Sequence, residues 1–177
     1  MSDAVKILPH YTYDDYLHWE GKWEIIEGIP YAMSPAPGPK HQRIAVNLST
    51  VFALALKNCK ACTVYQPLDY LLQNDTVLQP DMLIVCDEIE KKFLDFPPGL
   101  VAEILSPATA LKDRHTKYSL YQSQAIPYYI IIDPDAEEAE VHALENSAYQ
   151  LKQKGRNFIH DFDLEKCRAN VNFGEIW

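Results

Sequence analysis

Short apolar runs bounded by proline, glycine or charged residues recur along the chain and predict β-strands. Two of them, Met82–Cys86 and Leu100–Leu105, are rich in Ile, Leu and Val, which favours strands buried on both faces of a sheet. The charged stretch between these runs ends in Pro97-Pro98-Gly99 and predicts a connection. Further strands are predicted at Trp23–Ile26, Ile29–Met33, Thr63–Leu72 and Pro127–Asp133, and as edge strands of a meander at Val141–Leu144, Tyr149–Lys152 and Phe158–His160.

Two longer stretches have the spacing of helices. In residues 40–57, apolar side chains recur three and four positions apart, as on one face of an α-helix. A second helix is predicted after Ser106-Pro107, which supplies an N-cap and a first-turn residue, and it should extend to about Ser123. Strands interrupted by two long helices predict a mixed α/β fold. We expect one domain over residues 1–177, with a core at about 11–144.

Each of the two central strands carries a carboxylate, Asp81 in the first and Glu103 in the second. An acidic side chain among Leu, Ile and Val is costly unless it is paired, hydrogen-bonded or bound to a metal. In a hairpin symmetric about Lys92, Asp81 lies opposite Glu103 with Cβ atoms about 4.5–5.5 Å apart, whereas a shift of one residue would put them on opposite faces. Carboxylates that close repel each other, so one holds a proton or a cation lies between them. Oxygen ligands suit Mg²⁺ or Mn²⁺.

The predicted second helix should fold back along its strand and bring polar side chains toward these carboxylates. Asp113 and Lys117 lie one turn apart on one helix face, and Tyr121 continues the same row. The rise per residue in helix and strand places Asp113 and Lys117 within side-chain reach of Glu103. The alternative for Lys117 is a solvent-exposed helix lysine.

An Asp and a Glu on adjacent strands with a Lys nearby resemble the PD-(D/E)xK nuclease superfamily. More narrowly, four segments resemble the Uma family of bacterial endonucleases: WEIIEGIPYAMSPAPGPKHQRI, QPDMLIVCD, VAEILSPATALKDRHTKY and PYYIIIDP. The resemblance covers roughly residues 11–144. It implies a restriction-endonuclease-like fold, in which helices flank a mixed β-sheet, together with a divalent cation and hydrolysis of phosphodiester bonds in DNA.

The resemblance also implies catalytic roles for Asp81, Glu103, Lys117 and Glu24. The superfamily pattern puts its lysine two residues after the glutamate, and that position is Leu105 here. The Uma resemblance moves the role to Lys117. Asp81 and Glu103 would be metal ligands. Glu24 matches an acidic position of the family and would be a third ligand, with a plain edge-strand carboxylate as the alternative.

Three further residues are expected on the substrate side of the site: His41, Tyr121 and Asp113. His41 lies in the first turn of the helix that follows a proline-rich loop, which could place it at the mouth of the site. There it would contact substrate or a metal-bound water, and an ordinary surface histidine is the alternative. Asp113 or Tyr121 would orient the catalytic lysine.

The formal net charge of −9 is the wrong sign for a protein that binds DNA through a broad basic face. This argues against tight non-specific binding, but it allows a local basic groove. The residues that could form such a groove near the site are Lys40, Arg43, Lys112, Arg114 and Lys117.

The chain has four cysteines, of which Cys59 and Cys62 form a C-x-x-C pair without a second pair at zinc spacing. Free thiols in a reducing compartment are therefore expected. No apolar stretch approaches the roughly 18 residues that a membrane helix needs, and the first residues lack the pattern of a secretion signal. We expect a cytoplasmic protein without membrane contact.

These observations predict a Mg²⁺- or Mn²⁺-dependent endodeoxyribonuclease. A homodimer is considered as well, because cutting both DNA strands requires two sites. One alternative is a catalytically inactive module that binds nucleic acid or protein on a nuclease fold, which the negative charge and the displaced lysine favour. Another is a structural homodimer in which Asp81 and Glu103 share a proton.

Overall fold

A six-stranded sheet forms the centre of the computed structural model, which describes residues 8–33 and 36–177. Among the described strands, only the third and fourth of this sheet pair in parallel, and the other neighbours are antiparallel. In order across the sheet the strands are β10 (Ala148–Gly155), β9 (Glu138–Glu145), β8 (Tyr128–Asp133), β7 (Leu100–Ile104), β6 (Met82–Val85) and β3 (Thr63–Tyr65).

A second, four-stranded antiparallel sheet carries the early part of the chain. Its order is β2 (Ile29–Ala32), β1 (Trp23–Ile26), β5 (Thr76–Leu78) and β4 (Tyr70–Gln73). The turn between β1 and β2 is Glu27-Gly28, and both residues have positive φ, as the tight hairpin signal predicts. Two further strands, β11 (Ile159–Asp163) and β12 (Arg168–Asn172), form a separate hairpin.

Helices cover both faces of the six-stranded sheet. The helix α2 (Pro39–Leu56) buries one stripe of apolar residues against alternate sheet residues such as Ile84 and Ala102. The intervening residues, Leu83 and Val101 among them, point to the opposite face and pack in a second cluster. Because the side chains of a strand alternate between faces, odd-numbered Asp81 and Glu103 belong to this second side. The other described helical elements are α1 (Tyr13–Tyr16), a π-helical segment (Lys112–Lys117), α3 (Tyr118–Ser123) and a 3₁₀ turn at Phe173–Glu175.

Two strand predictions are wrong. Thr63–Leu72 is not one strand, because β3 ends at Tyr65 and β4 begins at Tyr70 in the other sheet. Pro67 lies in this break, where a residue without an N–H interrupts a ladder. The strand β9 is not an edge strand, since it lies between β8 and β10. The short strands β5 and β12 were not predicted.

The helix after β7 also differs from the prediction of one α-helix. Residues 107–109 form a turn, and the segment Lys112–Lys117 is π-helical before α3 begins. The Ser106 carbonyl accepts the Ala110 N–H at 2.9 Å, which is the first helical bond that an N-cap residue makes. A π-helical turn is rare and is frequently found at functional sites. No described helix is both long and apolar enough to cross a membrane.

The prediction of free thiols is wrong. Cys59 is bonded to Cys167, and Cys62 is bonded to Cys86. The partners lie 108 and 24 residues apart in the sequence, so local spacing does not reveal either pair. The first disulfide ties the end of α2 to the β11–β12 hairpin, and the second ties the approach to β3 to the end of β6.

Loss of the longer disulfide is expected to destabilise the protein more than loss of the shorter one. In the chain-entropy model a bond that closes about 100 residues contributes about 4.7 kcal/mol and one that closes about 15 contributes about 3 kcal/mol. Cys59→Ser should therefore lower the free energy of unfolding in urea more than Cys86→Ser, and both residues are only partly buried. Wild type in reducing buffer is the control. Equal losses in the two variants would contradict the chain-entropy explanation.

Candidate active site

The register of β6 and β7 brings the two predicted carboxylates together. Met82 pairs with Ala102, Leu83 with Val101 and Ile84 with Leu100, and one more step in this register places Asp81 opposite Glu103. The predicted register is therefore confirmed. The Ile104 N–H donates to Asp81 Oδ2 at 2.8 Å, which ties this carboxylate to the neighbouring strand.

Four carboxylates, those of Glu24, Asp81, Glu103 and Asp113, form an acidic cluster, and Lys117 lies at its centre. Its ammonium is 2.7 Å from Glu24 Oε1 and 2.8 Å from Glu103 Oε1, and Asp113 Oδ1 is 3.5 Å away. The Lys117 side chain is 2% exposed, so the alternative of a solvated helix lysine is wrong. The π-helical segment supplies both Lys117 and Asp113 to this cluster.

Glu24 reaches the cluster from the other sheet. It lies on β1 between β2 and β5 and is fully buried, so it is not the edge-strand carboxylate of the alternative interpretation. In addition to Lys117, the Lys112 ammonium donates to Glu24 Oε2 at 2.5 Å, and the Gln79 N–H donates to Oε1 at 3.0 Å. A carboxylate buried in this way requires such partners.

The predicted tyrosine contacts glutamate rather than lysine. The Tyr121 hydroxyl donates to Glu103 Oε1 at 2.6 Å, so it fixes the carboxylate that Lys117 also binds. A tyrosine missed in the sequence, Tyr129, donates its hydroxyl to the Asp113 carbonyl at 2.9 Å and holds the π-helical segment against β8. A tyrosine in a buried strand needs a polar partner, and this requirement is the signal that could have identified it.

His41 lies beside Asp81. Its Nε2 is 3.3 Å from Asp81 Oδ2, and the side chain is 14% exposed. The first turn of α2 thus places an imidazole at the acidic cluster, and the surface alternative is wrong. All seven residues predicted for the site lie in or beside the acidic cluster: Glu24, His41, Asp81, Glu103, Asp113, Lys117 and Tyr121.

Residues 13–165 match the sequence model of a family described as "Uma2: Putative restriction endonuclease". The chain belongs to the Uma2 family. It is 31% identical over 145 residues to an uncharacterised protein of Synechocystis sp., slr1290, a match that covers 76% of this chain and 75% of the relative.

A solved structure confirms the fold expected for the Uma2 family. The crystal structure of a "putative nuclease belonging to DUF820" from Anabaena variabilis superimposes with a TM-score of 0.76. The match covers 94% of this chain and 97% of the other, at 17% sequence identity. The prediction of a mixed β-sheet flanked by helices on a nuclease fold is therefore correct.

The charges of the cluster are strongly coupled. Burial, together with the Asp113, Asp81 and Glu24 carboxylates, raises the pKa of Glu103 well above its ordinary value, although Lys117 opposes this shift. Burial alone would lower the pKa of Lys117, but the surrounding carboxylates outweigh burial and raise this pKa well above its ordinary value. Lys117 therefore stays charged, and Glu103 holds a proton more readily than a free glutamate does.

The pKa values of Glu24 and His41 are set by their charged partners, which outweigh the effect of burial. Burial would raise the pKa of Glu24, but the Lys117 and Lys112 ammonium groups outweigh it, and the pKa of Glu24 is lowered. Burial would lower the pKa of His41, but the contact with Asp81 outweighs it and raises the pKa. Glu24 is thus the ionised partner of the two lysines, and His41 is readily protonated beside Asp81.

Glu103→Gln is expected to raise the melting temperature of the metal-free protein at neutral pH. Because the pKa of Glu103 is raised in the folded state, this residue's contribution to stability falls as pH rises above the ordinary range of a carboxylate. The neutral amide keeps the shape without that loss. Each kcal/mol of repulsion removed should add about 2–4 °C.

The control for this prediction is Glu88→Gln, which removes an exposed carboxylate between β6 and β7. Thermal unfolding in EDTA at neutral and mildly acid pH measures both variants. The stabilisation by Glu103→Gln should shrink at acid pH, where wild-type Glu103 is already protonated. A difference in melting temperature between Glu103→Gln and wild type that is the same at both pH values would contradict the raised pKa.

Two of the five basic residues considered for a local groove contact the acidic cluster. Lys112 and Lys117 bind its carboxylates, as described above. In contrast, Lys40 is 3.7 Å from Glu137 Oε1, and Arg114 Nη1 is 2.9 Å from Glu140 Oε1. The ammonium of Lys40 and the guanidinium of Arg114 are therefore paired with glutamates outside the acidic cluster.

The donor atoms of the cluster suit a hard cation. Within residues 8–33 and 36–177, no group of three His, Cys, Asp or Glu side chains has the arrangement of a metal cage. Mg²⁺, however, is usually held by one or two carboxylates, with waters and substrate phosphates as the other ligands. Asp81 and Glu103 form such a pair, and Asp113 Oδ1 is a buried oxygen without a hydrogen bond in the described part of the chain. The residues of the acidic cluster therefore fit a Mg²⁺ ion.

Proposed function

We propose that this Uma2 protein is a metal-dependent endodeoxyribonuclease that hydrolyses phosphodiester bonds in DNA with Mg²⁺ or Mn²⁺. The observation that supports the proposal most is the position of Lys117, whose ammonium lies 2.8 Å from Glu103, the residue that pairs in register with Asp81. Two carboxylates and a lysine in one cluster match the residue types that this hydrolysis requires.

In this proposal Asp81 and Glu103 hold the cation, and Glu24 is a candidate third ligand. The cation supplies a water of lowered pKa and offsets charge on the phosphate when it is bound. Lys117, kept charged by its carboxylates, donates hydrogen bonds to a phosphate oxygen as negative charge develops there. Tyr121 holds Glu103 in orientation through its hydroxyl.

The substrate side of the proposal rests on His41 and Asp113. His41, protonated beside Asp81, would offer an N–H to a phosphate oxygen at the mouth of the site. Asp113 would orient Lys117, since its carboxylate lies within 3.5 Å of the ammonium. A homodimer that cuts both strands and a cytoplasmic location complete the proposal. Disulfides are rare in a reducing compartment, so the two disulfides weigh against that location. Reduced cysteines in the cell would support a cytoplasmic location, and intact disulfides would contradict it.

Incubation with supercoiled plasmid DNA tests the proposed activity. Wild-type protein should convert the plasmid to nicked and linear forms in Mg²⁺ or Mn²⁺ buffer, and EDTA should stop the reaction. A protein incubated with Ca²⁺ is a useful comparison, because Ca²⁺ prefers more ligands and longer distances than Mg²⁺ does. Branched DNA is a second substrate for the same assay. If plasmid and branched DNA both remain intact in Mg²⁺ and in Mn²⁺, the proposal is contradicted.

A nucleic-acid- or protein-binding module without catalysis is the second candidate. The observation that favours it is the position of Lys117, which already pairs with Glu24 and Glu103 and so partly neutralises the carboxylates without a metal ion. Such a module would bind DNA in a gel-shift assay and leave it uncut in both metals. The plasmid and gel-shift assays together separate the two candidates.

A further inference from the structure

A cleft of about 550 Å³ opens beside the acidic cluster, between β2 and residues 108–116. Tyr31 lines one side, and Thr109, Leu111, Lys112 and His115 line the other. Its volume lies in the range of sites that bind small ligands. Neither the family description nor the seven predicted site residues account for this cleft.

Lys112 links the cleft to the acidic cluster. Glu24 and Tyr31 are direct partners across β1 and β2, so their side chains lie on the same face of the sheet. Lys112 joins the two, because its ammonium donates to Glu24 Oε2 and lies 5.1 Å from the centre of the Tyr31 ring. A ligand in the cleft would therefore have one end next to the carboxylates.

The lining matches one nucleotide of a single strand. Tyr31 remains 40% exposed although the Lys112 ammonium lies over one face of its ring, and Leu111 is 78% exposed, so an aromatic and an aliphatic side chain are both accessible to a base. Lys112 and the exposed His115 provide donors for a phosphate. Aromatic stacking combined with nearby cations is the usual way in which proteins bind single strands without sequence preference.

A duplex fits this surface less well. Binding of duplex DNA depends on several phosphate contacts, each made by Lys or Arg. The chain has a net charge of −9, and Lys40 and Arg114, two of the basic residues considered for a groove, are paired with glutamates. Stacking on Tyr31 requires an unpaired base but few additional cations.

We propose that the Tyr31–Lys112 cleft binds the unpaired nucleotide next to the cleaved phosphate, so that the preferred substrate is single-stranded or frayed DNA. This inference rests on the proposed nuclease function. Tyr31 is a binding residue in it, because its ring contacts the base, and Lys112 contributes a cation to both the cleft and the acidic cluster.

Fluorescence anisotropy in EDTA tests the inference without requiring cleavage. The probes are a labelled oligothymidylate of about 12 nucleotides and a duplex of the same length. Wild type should bind the single strand more tightly than the duplex. Tyr31→Ala should weaken single-strand binding by about 5- to 150-fold, the effect of losing one stacked base, while Tyr31→Phe keeps the affinity. Leu151→Ala, at an exposed position on the outer strand β10, is the matched control.

The outcomes separate this inference from the proposed function. Plasmid cleavage combined with equal affinity of wild type and Tyr31→Ala for the single strand would overturn the inference and leave the nuclease standing. Tighter binding of the duplex than of the single strand would also overturn it. If wild type neither cuts DNA nor binds either probe, both proposals fail. A thermal melt confirms that Tyr31→Ala is folded.

Discussion

Asp81→Asn should reduce DNA cleavage by at least about 100- to 1000-fold, because it removes one charge from the pair that is proposed to hold the cation. The fold should persist, since the amide oxygen of Asn can still accept the Ile104 N–H. Initial rates of plasmid nicking measure the loss, and circular dichroism checks the fold. Glu103→Ala should lose cleavage to the same extent.

The matched control is Asp95→Asn, which neutralises a half-exposed carboxylate in the connection between β6 and β7. Its partner Lys91 is exposed, and an exposed pair contributes little to stability. This variant should cleave DNA at the wild-type rate. Cleavage by folded Asp81→Asn at the wild-type rate would remove Asp81 from the mechanism.

Lys117→Met should lower the free energy of unfolding by about 3–5 kcal/mol at neutral pH, the usual cost of removing one partner of a buried ion pair. The substitution leaves Glu24, Glu103 and Asp113 close together without the Lys117 ammonium between them. Their pKa values should then rise, so the deficit should shrink at mildly acid pH, where the carboxylates are protonated. Urea denaturation at the two pH values measures both effects.

Two further variants sharpen the Lys117 prediction. Lys91→Met removes an exposed lysine and should leave the urea midpoint unchanged. Glu103→Gln combined with Lys117→Met should recover part of the lost stability, because the amide carries no charge; the difference from additivity measures their coupling. An unchanged urea midpoint for Lys117→Met alone would contradict the ion-pair cluster. DNA cleavage by Lys117→Met should also be lost.

The hairpin that carries the site was predictable because its two halves constrain each other. The apolar runs on either side of Lys92 predict two neighbouring strands, and a turn symmetric about Lys92 places Asp81 opposite Glu103, as observed. The apolar pattern does not select this register by itself, because both strands are buried on both faces. The first turn of α2 was predictable from helical spacing alone, and it delivers His41. Strand runs and helical spacing depend on neighbouring residues, so both can be identified from the sequence alone.

The contact between Glu24 and Lys117 was not predictable from local pattern. It depends on how the four-stranded sheet packs against the π-helical segment, and the two residues are far apart in the sequence. The π-helical turn has no composition of its own, since its residues are those of an ordinary polar helix. The prediction that Glu24 belongs to the site came from the family resemblance and not from residue spacing.

The cysteines show the same limit. A C-x-x-C pair suggests a local relationship between Cys59 and Cys62, yet each is bonded to a distant cysteine instead. The break after β3 is similar, because strand propensity continues through Pro67 while the chain leaves one sheet for the other. Which sheet a strand joins is decided by tertiary packing.

Calorimetric titration with Mn²⁺ tests the central claim most directly, because it measures the proposed cation site without DNA. Wild type should bind Mn²⁺, with higher affinity as pH rises and Glu103 loses its proton, whereas Asp81→Asn and Glu103→Gln should each lose the binding. Binding confined to the wild type would establish that the two carboxylates share a cation. Equal binding by all three proteins would contradict the claim that Asp81 and Glu103 form the metal site.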